Sequence, residues 1–92
     1  MDIVSNILAG KITEEELLEY VTSNDIFVAI AVAKSEYATE PILDIAAHDR
    51  DREVRMAALE NPNISRNTLN YLCMDKDIEI AQLASKKLED RI

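Results

Sequence analysis

Asp51-Arg52-Glu53-Val54-Arg55-Met56-Ala57-Ala58-Leu59-Glu60-Asn61-Pro62-Asn63-Ile64-Ser65 is the stretch that decides how this chain folds. Val54, Ala57 and Ala58 stand at i, i+3 and i+4, which is one face of a helix. Pro62 forbids the helix to continue, and Asn61 is a residue that tolerates the left-handed conformation in which helices end. Ser65 then offers a side-chain oxygen to the free amides of a second helix. A helix, a turn and a new helix start lie within one short segment.

The same pattern recurs on both sides at a spacing of 26 residues. Val28, Val54 and Ile80 share a column, as do Ala31, Ala57 and Leu83, and Val32, Ala58 and Ala84. These predict a first helix (A) over 26–34, 52–60 and 78–88. Thr13, Thr39 and Ser65 are its partner helix's N-caps, and Thr13 with Glu16 forms a capping-box pattern. Pro41 sits in a first turn, where its missing N–H costs little. The second helix (B) is expected over 13–21, 39–47 and 65–73. Its core faces are Leu17, Tyr20 and Val21; Leu43, Ala46 and Ala47; and Leu69, Leu72 and Cys73. Ile3–Ala9 reads as a degenerate helix A, ended by Gly10. The expectation is one domain, 1–92: a partial repeat at 1–11, then repeats at about 12–37, 38–63 and 64–90. Stacked helix pairs with this period make a short right-handed α-solenoid of about three and a half units.

In its Asp, Val-Arg, paired small residues, Asn-Pro and Ser cap followed by Leu69, the stretch resembles the leucine-rich repeat variant family and, more loosely, HEAT-like repeats. The other copies match less well: Ser35-Glu36 replaces Asn-Pro, and Ala29 or Ala81 replaces the Arg. The resemblance implies a curved all-α solenoid in which helix B is partly 3₁₀. It is nearly silent on activity.

Bulk properties exclude more than they assign. The chain is 48% hydrophobic and 30% charged, with one Gly and two Pro, ordinary for a globular helical domain. Its formal net charge of −8 argues against direct contact with nucleic acid or an anionic membrane, both of which call for a basic surface. It leaves neutral or basic protein partners open. Cys73 is the one cysteine, so neither an internal disulfide nor a cysteine metal site can form; a reducing, cytoplasmic setting is expected. The first residues resemble neither a signal peptide nor an anchor.

Few residues suggest chemistry. Asp49, Asp51 and Glu53 alternate with arginines, and Asp75, Asp77 and Glu79 repeat the pattern. A calcium loop needs a central Gly and a distant bidentate Glu, and both are missing. Helix capping and local ion pairing are the expected roles. His48 lies at a helix end, with no nucleophile and orienting acid expected beside it. Cys73 is expected to be a buried structural thiol. A HEAT-like DNA glycosylase would need a basic groove and stacking aromatics, which this composition lacks. No catalytic residue, metal or cofactor is expected.

Partner surfaces are sought where the columns disagree. Ile26–Ala33 is apolar all round, whereas Arg52–Leu59 is amphipathic, and a helix apolar on every side is ordinarily covered on every side. Ile3–Leu8 is expected to cover Phe27 and Ile30; the alternative is an exposed patch of Phe27, Ile30 and Met56. The first helix B carries Glu14, Glu15, Glu16 and Glu19, where the third carries Arg66, Asn67, Thr68 and Asn70. That gradient would orient a basic peptide, or would simply solvate one end. The leading functional expectation is a protein–protein interaction or scaffold module. An acidic decoy for a basic protein and a self-assembling subunit are the alternatives.

Overall fold

Nearly every helix begins where a short polar side chain receives a free amide. In a computed structural model that describes residues 2–91, Asp2, Thr13, Asp25, Asp51, Ser65 and Asp77 each cap a helix in this way. The outermost residues of the expected domain, Met1 and Ile92, lie outside the described residues. The helices are α1 (Ile3–Leu8), α2 (Glu14–Tyr20), α3 (Ile26–Lys34), α4 (Glu40–Ala47), α5 (Arg52–Glu60), α6 (Arg66–Leu72) and α7 (Ile78–Asp90). There is no strand among the described residues. The capping box at Thr13 is complete, with Glu16 reaching back to the Thr13 amide at 3.2 Å.

Three sequence expectations are corrected at helix ends. Thr39 occupies the N-cap of α4, but its Oγ1 receives no amide and is buried without a protein partner. Pro41 follows at the second helical position and removes one of the two amides that a capping oxygen reaches. The even-numbered helices are α rather than partly 3₁₀. Val21, Leu43 and Leu69 donate four residues back to Leu17, Thr39 and Ser65, and the three-residue bonds fall at helix ends. Asn61 ends α5 with extended backbone (φ −75°, ψ 127°), not left-handed.

The Asn61 side chain has a different task. Its amide donates to the carbonyls of Ala33 (2.9 Å) and Ser35 (2.8 Å), and its oxygen receives the Asn63 amide. Asn63 donates in turn to the carbonyls of Glu36 and Ala38. The end of α5 is thereby fastened to the end of α3. Gly10 alone has positive φ among the described residues, at +74°, and a β-carbon there would lie 2.5 Å from the Tyr37 ring. Only glycine satisfies both conditions.

The odd-numbered helices touch in succession, α1 on α3, α3 on α5 and α5 on α7, and α4 touches α6 alongside. Between them lies one core of Leu17, Val21, Val28, Val32, Ile42, Leu43, Val54, Leu59, Leu69, Leu72 and Ile80, with alanines between the larger side chains. Small residues let the helix axes approach closely. Three expected core residues sit nearer the surface: Tyr20 and Cys73 are half-buried, and Leu83 is partly exposed on α7, whose contacts are with α5 and α6. The molecule measures 38 × 24 × 17 Å. No helix among the described residues is long and apolar enough to cross a membrane.

Candidate functional site

The loops that enter α3, α5 and α7 lie in a row, and what fills the gaps between them differs. Between the second and third loops runs the Arg55 side chain, buried to 5% exposure. Its Nε and Nη2 donate to the two oxygens of Asp75, at 2.8 and 3.2 Å. Its Nη1 donates to the carbonyls of Asp49 and Arg50, both at 3.0 Å. The guanidinium thus ties α5 to the α6–α7 loop and to the loop that precedes it. A cleft of about 300 Å³ remains beside it, lined by His48, Tyr71, Met74 and Lys76 among others. His48 stacks on Tyr71 with ring centroids 3.9 Å apart, and its Nδ1 lies 2.8 Å from the Asp44 carbonyl. Met74 is the most exposed large apolar residue among the described residues, at 80%.

Between the first and second loops the corresponding space is open. This cleft of about 520 Å³ is walled by Thr22, Ser23 and Asn24 on one side and Asp49, Arg50 and Asp51 on the other, with Ile26, Ala29 and Val54 below. Ala29 stands where Arg55 stands one spacing later.

The rim residues change in the same sense. Arg52 donates to Asp77 (2.7 Å), Glu53 (2.7 Å) and Glu79 (2.6 Å), joining the start of α5 to the start of α7. These bonds hold the Arg52 proton more firmly than usual, and the Arg52 hydrogen bond holds the Asp77 carboxyl below its ordinary range. One spacing earlier, Ile26 replaces Arg52 and Phe27 replaces Glu53. No ion pair joins the starts of α3 and α5 among the described residues.

The residues singled out from sequence are thereby separated. Phe27 is 73% exposed even though α1 packs on α3, so α1 does not cover it. Ile30 and Met56 are half-buried and pack against the core, which leaves Phe27 as the exposed part of that patch. Glu15, Glu16 and Glu19 are exposed on α2, with Glu16 engaged in its cap. Asp49, Asp51 and Asp77 accept backbone or arginine N–H groups within or between their loops. No grouping of three His, Cys, Asp or Glu side chains is placed to hold a metal ion among the described residues. Arg55 and Asp75 belong to the alternating charges expected to cap helices and pair locally; their buried pairing with each other across two loops was not foreseen. The column Ala29, Arg55, Ala81, set against the column Asp49, Asp75, is the signal that points to them.

Comparison with protein-family models, with curated proteins and with solved structures yields no match.

Proposed function

We propose that this chain is a non-enzymatic module that binds another, basic protein in the cytoplasm. We read the seven helices of the described residues as a short right-handed α-solenoid of the leucine-rich-repeat-variant or HEAT-like kind. The helix starts at Asp25, Asp51 and Asp77 and at Thr13, Thr39 and Ser65 support that reading, because each set falls at the 26-residue spacing.

Phe27 carries the functional proposal. A large aromatic side chain lies 73% exposed at a position whose two counterparts are glutamates. Aromatic residues are enriched at protein interfaces, where one buried anchor supplies much of the affinity. Phe27→Glu installs the residue present at positions 53 and 79. It is expected to leave the unfolding midpoint unchanged and to weaken a purified, reconstituted partner by about thirtyfold, the effect of a typical anchor. Equal affinity in the two proteins would sink the proposal.

The exposed glutamates of α2 and the net charge of −8 favour the acidic decoy as a second reading. Affinity that collapses as salt rises would select the decoy, since exposed charges are screened within a Debye length of about 8–10 Å. Affinity held through Phe27 would persist. For self-assembly, a concentration-dependent sedimentation coefficient is the expected sign.

A further inference from the structure

We infer that the open cleft over Ala29 is a receptor for the guanidinium group of an arginine on the partner. This rests on the partner-binding reading and names the group recognised. The protein carries the template within itself, because the next cleft along is filled by Arg55. Each element that holds Arg55 recurs one spacing earlier without an occupant. Asp49 stands for Asp75, and the carbonyls of Ser23 and Asn24 stand for those of Asp49 and Arg50. Ala29 stands for the arginine.

The two carboxylates hang in the same turn. Asp75 Oδ1 accepts the Asp77 amide at 2.8 Å, and Asp49 Oδ1 accepts the Asp51 amide at 2.8 Å. Asp75 Oδ2 then takes Arg55 Nε, whereas Asp49 Oδ2 has no partner among the described residues. Neither the Ser23 nor the Asn24 carbonyl accepts a hydrogen bond among the described residues. The cleft measures about 520 Å³ beside Ala29 and about 300 Å³ beside Arg55, and Ala29 itself is buried beneath the loop residues. A carboxylate and two carbonyls lining one cleft, as around Arg55, suit a planar fork of N–H donors better than the point charge of an ammonium. Arg50 on the rim does not argue against a cation, because Lys76 lines the cleft that Arg55 already occupies. Ile26 supplies an apolar wall for the methylene stem, and Phe27 follows it in the chain. The net charge of −8 draws basic segments toward the surface.

The test requires no partner. N-acetyl-arginine amide is titrated into the intact chain and backbone amide shifts are followed by NMR, with the citrulline and lysine analogues in parallel. Expected are saturable shifts at Ser23, Asn24, Asp49 and Asp51. Affinity should be lower by about tenfold or more for citrulline, which lacks the charge, and lower for lysine. Asp49→Asn keeps an acceptor for the Asp51 amide and should lower arginine affinity by a similar factor. Ala29→Arg should fill the cleft from within and abolish the response; if that variant does not fold, Asp49→Asn decides alone. Equal binding of the three probes, indifference to Asp49→Asn, or a folded Ala29→Arg that still binds would overturn the assignment. No probe response beside intact Phe27-dependent partner binding removes the receptor alone. Probe binding without any Phe27-dependent partner removes the interaction reading and leaves the receptor.

Discussion

A buried guanidinium is tolerated when oxygens meet its N–H groups, and Arg55 meets that condition through Asp75 and two backbone carbonyls. Removing one member of such a pair strands the other. Arg55→Ala leaves Asp75, whose side chain is 5% exposed, without its counter-ion. A loss of about 3–5 kcal/mol is expected from denaturant unfolding. A loss below about 1 kcal/mol would mean that the loops close over the gap. Arg55→Lys keeps the charge but cannot span both Asp75 and the carbonyls, so it should recover only part of the loss. Ion pairing was expected from the alternating charges of these loops, but not which carboxylate Arg55 meets nor that the pair is buried. The partner carboxylate lies 20 positions away in another loop, beyond the reach of local spacing.

At the scale of the element, the helix starts were the most legible feature. A Ser, Thr or Asp ahead of an apolar face acts through bonds only two or three residues long, so sequence contains both partners. The two places where this reasoning failed are those where the outcome depended on something else. Thr39 receives no amide although Ile42 offers the one its counterparts Thr13 and Ser65 take, and Asn61 turned from shaping its own helix end to holding that of α3. The 3₁₀ expectation came from resemblance, and the α-type bonds of α2, α4 and α6 replace it. The start of α7 should respond to acid. Asp77 caps it while bound to Arg52, which lowers the Asp77 pKa from its usual value near 3.8. A depressed carboxylate stabilises the fold fully above the unfolded pKa, and that contribution is lost as pH falls through the folded value. Unfolding midpoints measured below about pH 4 should therefore decline, and Asp77→Asn should remove that part of the decline. An unchanged acid limb in the variant would assign the loss to other carboxylates.

At the scale of the molecule, the core is narrow and shared. A domain of this size has about 5–14 kcal/mol of stability in total. Leu43, fully buried in α4, packs within the core that joins the helices. Leu43→Ala should cost about 2–5 kcal/mol in denaturant unfolding. A loss under about 1 kcal/mol would contradict its central place. The apolar columns made this core visible in advance, since interior positions must be apolar in every copy. The surface was harder to read, because a column that varies says only that stacking did not dictate it. Phe27 and Ile30 both lie in such columns, and the fold alone separates the exposed ring from the side chain that packs against the core.

The empty place over Ala29 also has a mechanical meaning. Where Arg55 clamps adjoining loops, a pulling force must break several charge-assisted bonds together. Between the first and second loops no such clamp is present among the described residues, so the loop end of the α3–α5 seam rests on packing, while Asn61 and Asn63 fasten its other end. An arginine brought by a partner would act as a removable rivet at the loop end of that seam. Optical-trap unfolding should then show the step that parts α3 from α5 at a higher force when Ala29→Arg supplies the rivet permanently.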